Sequence, residues 1–348
     1  MPKIAKIALG IGAIATLGLS AMVVQAGGWD NFKLRYFSLT QHLHDQNKEL
    51  SDLQAQNIDP EKNTRIDLSQ ILNGGPPKDG IPSIDNPKFD TGETTPFGPE
   101  ELVIGVVVNG EAKAYPYGIM NWHEIVNDSI GCVNVSVSYC PLCDTMLAVK
   151  RGNNTYGVSG KLYQSCLLMY DRASDSLYAQ PWGLGVVGSK VNQSLERIPV
   201  VKTTLFAWLG KYPNSKILST DTGYRRNYQG YPYGSYNRDK RLVFPVRYQD
   251  QLQHHPKEII SYVWEHDQQT PHNQFSGTSL QLVHAEIKKL GEKVVPYNGR
   301  QIRVHWDRQL QTAIVSELDG TIIPSSTAFA FVYPAFFGDR GLAKGPHN

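Results

Sequence analysis

The middle of the chain alternates apolar and polar positions with a period of two, the pattern of β-strands that bury one face. Residues 102–108 and 111–117 form two such runs, and the pair Asn109-Gly110 between them favours a tight hairpin turn. From Cys132 to Tyr139 the alternation returns and predicts a half-buried strand that ends at Cys140, with residues 146–150 as its partner. The sequence therefore predicts two hairpins, the second with a Cys-Pro-Leu-Cys turn at its tip.

The second half of the chain carries one helix signal and two further hairpin signals. Residues 203–210 have helical apolar spacing and end on a glycine, which favours a short helix. The turn pairs Asn298-Gly299 and Asp319-Gly320 each lie between β-branched runs. Residues 327–337 contain a proline and are too short to span a bilayer, so we expect a core strand and a loop there. Together these elements predict a mainly β (α+β) fold, a hairpin-rich β domain with a few short helices.

The N-terminus has the pattern of an export signal. Lys3 and Lys6 precede an uncharged run over residues 7–24, and small residues suited to a signal peptidase stand before Gly27. If the segment is not cleaved, its roughly 18 residues are just long enough to anchor the protein in the inner membrane. We therefore divide the chain into a signal peptide or membrane-anchor helix (1–27), a helical linker (28–71) and a β-rich main domain (72–340). The expected location is the periplasm or another extracytoplasmic compartment.

The overall charge argues against nucleic acid as a partner. The 348 residues include 34 basic and 32 acidic side chains, and the pI is about 8.2. Such a balanced chain has no excess positive charge to bind a polyanion. The candidate chemistry must therefore come from a local group of side chains.

The four cysteines supply such a group, because all of them fall between Cys132 and Cys166. Cys140 and Cys143 are separated by two residues, a spacing shared by several known sites. A thioredoxin-like site would need a long helix after the second cysteine, but the turn at residues 152–154 leaves room for about two helical turns. A c-type haem would need a histidine at position 144, which is an aspartate. A zinc protease would need a second histidine after His123 where Asn127 stands.

Metal binding passes these tests better. Cys140 and Cys143 would provide two thiolates, and His123, Cys166 and Met169 lie near them in the sequence as further soft ligands. Two cysteines with a histidine and a methionine would suit copper, whereas three cysteines with a histidine would suit zinc. Because export places the thiols in an oxidising compartment, structural disulfides remain an equal alternative.

A resemblance can be stated on a set of motifs that spans residues 72–337. The chain resembles the exported prokaryotic family catalogued as domain of unknown function 3179, and the resemblance by itself implies no particular activity. It departs from the family pattern at Cys166, where family members carry an acidic residue after the serine. This leaves His123, Cys140, Cys143 and Met169 as the soft-ligand candidates that match. The motifs are Gly74-Gly75-Pro76-Pro77-Lys78-Asp79-Gly80-Ile81-Pro82, Trp122-His123-Glu124-Ile125-Val126-Asn127-Asp128, Tyr139-Cys140-Pro141-Leu142-Cys143, Gly157-Val158-Ser159-Gly160, Ser165, Met169-Tyr170-Asp171-Arg172, Tyr231-Pro232-Tyr233 and Tyr236.

Three functions follow as hypotheses. The first is an exported protein that holds a soft metal ion, copper in preference to zinc, at Cys140 and Cys143 with His123 and Met169 assisting, and that works with an exported redox or metal-delivery partner. The second is a thiol–disulfide oxidoreductase in which Asp171 and Arg172 tune an exposed Cys140 of low pKa. The third is a non-catalytic exported binding module with structural cysteines, whose tyrosine-rich loop (228–236) contacts a ligand.

Overall fold

The computed structural model describes residues 63–249, 252, 255–266 and 277–338. The expected signal or anchor segment (1–27) and most of the expected linker lie outside these residues. In the described ranges, no helix is both long and apolar enough to cross a membrane. The last linker residues form the 3-10 turn Leu68–Gln70 and enter the first strand, so the folded sheet begins before residue 72.

Strands are the predominant regular structure of the described residues and helices are few and short, which confirms the predicted fold class. The strands are β1 (Ile71–Asn73), β2 (Phe89–Asp90), β3 (Leu102–Val108), β4 (Glu111–Pro116), β5 (Ile125–Ile130), β6 (Val133–Cys140), β7 (Thr145–Lys150), β8 (Tyr156–Tyr163), β9 (Cys166–Asp171), β10 (Leu177–Ala179), β11 (Leu184–Val187), β12 (Arg197–Ile198), β13 (Val200–Thr204), β14 (Lys216–Leu218), β15 (Ile259–His266), β16 (Gly277–Val283), β17 (Glu292–Tyr297), β18 (Arg300–Asp307), β19 (Thr312–Glu317) and β20 (Ser326–Phe329). The helices are α1 (Tyr117–His123), α2 (Leu205–Lys211), α3 (His284–Leu290) and α4 (Val332–Phe337), and a 3-10 turn covers Tyr236–Arg238.

In the described ranges these strands form five sheets. Their orders are β1-β8-β9-β10-β11, β12-β7-β6-β5, β13-β3-β4-β14-β2, β16-β15-β20 and β17-β18-β19. The second sheet matters most for the chemistry, because it carries the paired cysteines at one end of the hairpin β6–β7.

Most of the local sequence signals form the structures that they predict. Asn109 and Gly110 both adopt positive φ, 48° and 81°, and join β3 to β4 in the tight turn that only such residues accept readily. Asn298 and Gly299 do the same between β17 and β18. Helix α2 begins after Thr204, whose side chain accepts a hydrogen bond from the Ala207 amide as an N-cap.

Two predictions of secondary structure need correction. The segment 327–337 is a strand followed by helix α4, not a strand and a loop, because Pro334 falls in the first turn of the helix, where it breaks no hydrogen bond. The turn at Asp319-Gly320 is present, but its second arm makes one isolated bridge, Ser316 to Ile322, instead of a strand.

Strand β6 is buried on both faces, although its alternating pattern predicted a half-buried strand. Tyr139 and its alternate neighbours pack into one apolar core with β3, β4 and α1. The polar face packs into a second core with β8, β9 and α4, and there Ser138 donates its hydroxyl proton to the Leu147 carbonyl. Cys140 belongs to this second face, so the paired cysteines enter the interior and not the surface.

Candidate functional site

The Cys-Pro-Leu-Cys segment forms the tight turn between β6 and β7. Cys140 pairs with Thr145 across the hairpin, and the Cys143 amide donates to the Cys140 carbonyl at 3.2 Å. Asp144 completes the turn with a positive φ of 54°. This conformation directs the cysteine side chains and the Asp144 carboxylate to opposite sides, because Asp144 bonds to Tyr139 and Lys202 on the other face of the hairpin.

Three of the four thiols lie together in the interior. Cys140, Cys143 and Cys166 are at most 1% exposed, and the Cys143 thiol interacts with both of the others. Cys166 reaches the pair from the start of β9. Cys132, in contrast, is exposed in the turn before β6. Pairing of the strands therefore assembles a group of three sulfurs. The Cys-x-x-Cys spacing in the sequence indicated only two of them.

Burial sets the protonation of these thiols. Removal from water raises the pKa of Cys140 and of Cys143 well above the ordinary thiol value and raises the pKa of Cys166 to about 11. Thr145 donates its hydroxyl proton to the Gln180 amide oxygen, so its oxygen accepts from the Cys143 thiol, 2.9 Å away. The group is therefore three neutral thiols in the absence of a bound cation.

A buried acid next to the thiols is a feature that the sequence reasoning missed. Glu124 is 6% exposed, interacts with Cys140, and accepts a hydrogen bond from the Tyr233 hydroxyl at 3.2 Å. Burial raises the pKa of Glu124 to about 8, so the carboxyl is mostly neutral at pH 7. The sequence does contain a signal for this buried acid: Glu124 stands directly before the apolar start of β5, where a charged residue is unusual.

His123 lies at the C-terminus of α1 and is bonded on both ring nitrogens. Nδ1 lies 2.8 Å from the Pro82 carbonyl oxygen, and Nε2 lies 2.7 Å from the Tyr228 hydroxyl. Burial lowers the pKa of His123 and keeps the imidazole neutral. With Nδ1 donating to the carbonyl, Nε2 accepts from the tyrosine, so both nitrogens are already committed within the fold.

The sequence also placed Met169 and the Asp171-Arg172 pair beside the thiols, and the structure places them elsewhere. Met169 is three residues after Cys166 on β9, so strand alternation places their side chains on opposite faces. Asp171 accepts hydrogen bonds from the amides of the turn that follows it. Arg172 bonds to Asp85 and Asp79, where it ties the segment 79–85 to the sheet. Neither charge is engaged with the thiols.

The opposite face of the hairpin borders a cleft of about 600 Å³. Lys202 donates to Asp144 across its wall, and the two side chains are 14% and 3% exposed. The Tyr139 hydroxyl donates to the same carboxylate at 3.0 Å. The rings of Tyr117 and Tyr139 contact each other with centroids 4.3 Å apart. The turn thus separates a thiol group on one side from a polar, aromatic cleft on the other.

Within the described residues, no group of three or more His, Cys, Asp or Glu side chains is arranged to hold a metal ion. The roles of Cys140, Cys143, His123 and Met169 as ligands therefore stay predictions. The geometry gives no support to an exposed thiolate of low pKa, which the thiol–disulfide hypothesis needs, since Cys140 is 1% exposed.

Comparisons with known proteins identify one match. A family model described as "Protein of unknown function (DUF3179)" matches residues 78–340. No curated protein and no solved structure matched the chain.

Proposed function

The chain belongs to the DUF3179 family of proteins of unknown function, and we propose that it binds a soft metal ion, Cu(I), between the thiolates of Cys140 and Cys143. The carrying observation is the group of three buried, mutually interacting sulfurs at the turn. Thiolate sulfur is the preferred ligand of this ion. Cys166 is the neighbouring third sulfur and replaces His123 and Met169 as the assisting residue, because those two side chains are directed elsewhere.

The number of protein ligands near the turn favours copper over zinc. A structural zinc site takes four protein ligands, and a catalytic one takes three. The described residues offer no such group, whereas Cu(I) is satisfied by two thiolates, which the pair provides. The proposal therefore needs only the two thiolates of the turn as ligands, with Cys166 of β9 assisting them as a neighbouring sulfur.

Binding exchanges thiol protons for the ion. The cation stabilises the thiolates and releases their protons, so affinity rises with pH. A neutral Glu124 adds no second negative charge beside the resulting complex. A small cavity of about 90 Å³, lined in part by Glu124, Leu142 and Leu167, approaches the turn from the side of these residues. We take it as a route by which an ion could reach the sulfurs.

Export remains part of the proposal. It rests on the pattern of residues 1–27, and it places the site in the periplasm, with a copper-delivery or redox partner exported to the same compartment. Mass analysis of the protein from a periplasmic extract tests this point. A chain that begins at Gly27 supports a cleaved signal peptide, and a full-length chain in the membrane fraction supports an anchor.

The copper site is tested by anaerobic titration of fully reduced protein with Cu(I) against a competing chelator of known affinity. We expect one equivalent of copper, lost in Cys140→Ser and in Cys143→Ser and held more weakly in Cys166→Ala. Cys132→Ser is the matched control, because that thiol is exposed and away from the group. Urea unfolding of each copper-free variant separates a lost ligand from a lost fold.

Two results would overturn the proposal. One is the absence of stoichiometric copper in reduced wild-type protein. The other is an unchanged affinity in a folded Cys143→Ser variant. If the Cys140→Ser and Cys143→Ser variants bind no copper only because they do not fold, Cys166→Ala and the wild-type stoichiometry still decide between a metal site and structural cysteines.

A further inference from the structure

The polar cleft on the far side of the turn is separate from the thiol group. Tyr139 and Cys140 are adjacent on β6 and therefore face opposite sides of the sheet, Tyr139 toward the cleft and Cys140 toward the sulfurs. The cleft measures about 600 Å³, within the size range of small-molecule sites. Nothing in the proposed copper chemistry uses it.

The cleft is lined by two lysines, both bonded inside the protein, and by the acidic side chains Glu100, Glu101 and Asp144. Lys202 is paired with Asp144, and the Lys257 ammonium donates to the backbone carbonyls of Tyr236, Asp239 and Arg241. The Glu101 carboxylate accepts a hydrogen bond of 2.7 Å from the Gly118 amide. Both lysines that line the cleft are thus committed, so it offers no spare cation for an anionic ligand.

Two buried polar groups in the wall have hydrogen-bonding capacity that the described residues do not fully satisfy. Asn121 is 8% exposed, and its Oδ1 has no hydrogen bond within the described residues. Tyr117 is 7% exposed, and its hydroxyl makes no hydrogen bond of standard length and angle there, although the Asp144 carboxylate is nearby. Both groups lie on α1 and line the cleft. An unpaired buried acceptor or hydroxyl is costly, so each is a position at which a bound molecule would contribute a hydrogen bond.

We propose that this cleft binds a neutral polyhydroxyl compound, a mono- or disaccharide. Sugar hydroxyls both donate and accept, so they can pair with an amide oxygen, a phenol and an ion pair without bringing a charge. Tyr231, a partly exposed tyrosine of the wall, offers an aromatic ring for the C–H side of a sugar ring.

Isothermal titration calorimetry tests the proposal on purified, reduced, copper-free protein. The probes are glucose, N-acetylglucosamine and cellobiose, with inorganic phosphate, acetate and choline as charged comparisons. We expect at least one saccharide to bind, and its affinity to fall about tenfold in Tyr117→Phe and in Asn121→Leu, since each removes one hydrogen-bonding group. Tyr212→Phe is the matched control, because it loses a hydroxyl outside the cleft.

Binding of a saccharide with this pattern supports the proposal. It is overturned if none of the three saccharides binds, or if only a charged probe binds. It is also overturned if affinity for the saccharide is the same in the two cleft variants as in Tyr212→Phe.

Discussion

Replacing Glu124 by glutamine should stabilise the copper-free protein at neutral pH. The ordinary pKa of this carboxyl, 4.5, applies to the unfolded chain, and burial raises the pKa to about 8 in the folded protein. Below pH 4.5 the group is protonated in both states and has no effect on folding. Between pH 4.5 and about 8 the unfolded chain releases the proton and the folded protein keeps it, so the free energy of unfolding falls as pH rises.

The size of the effect follows from the two pKa values. About 2.5 pH units separate 4.5 from pH 7, and each unit corresponds to about 1.4 kcal/mol, so the native glutamate lowers the free energy of unfolding by about 3 kcal/mol at pH 7. Glutamine stays neutral and keeps an oxygen that accepts the Tyr233 hydroxyl. Glu124→Gln should therefore remove most of this loss.

Urea unfolding of wild type and Glu124→Gln at several values from pH 5 to pH 8 measures the difference. The gap in free energy of unfolding should be small at pH 5, widen with pH and level off near pH 8. Glu93→Gln, a change at an exposed glutamate, should show no such trend. A gap that does not change with pH, or a glutamine variant less stable than wild type at pH 7, would refute the assignment of Glu124 as a buried neutral acid.

Two further predictions concern packing around the same turn and its neighbouring sheet. Lys202→Met leaves the buried Asp144 carboxylate without its cation and should lower the free energy of unfolding by about 3–5 kcal/mol. Adding Asp144→Asn should recover most of this loss. Equal urea midpoints for Lys202→Met and wild type would contradict the prediction. In Gly105→Ala the new Cβ would lie 2.1 Å from a ring carbon of the buried Trp208, so we expect a loss of about 3 kcal/mol in urea unfolding. Gly98→Ala, with open space around the new methyl group, should change little, and a similar result for both alanines would argue against the tight contact.

The sequence predicted the local structure well where the signal itself is local. The hairpin at Asn109-Gly110 depends on two residues that accept positive φ, and the start of α2 depends on the hydroxyl of Thr204. Helix α4 was missed because a proline was taken as a helix breaker, and its position relative to the helix start could not be known beforehand.

Burial and contacts were harder to predict because they depend on distant segments. The serines of β6 indicated a solvent-exposed face, but strands β8 and β9 and helix α4 cover that face and its polar groups bond inside. The residue pattern of one strand indicates how polar its two faces are. The pattern does not indicate which other elements pack on those faces.

The same distinction applies to the candidate site. The sequence by itself determined that Cys140 and Cys143 share a hairpin turn, because two residues separate them and the flanking strands fix the turn. Tertiary structure decided that Cys166 joins them, that Glu124 and not its neighbour His123 lies beside them, and that Met169 faces away. Those outcomes depend on strand pairing, on the left-handed φ of Glu124 and on strand alternation, which arise only when remote parts of the chain pack together.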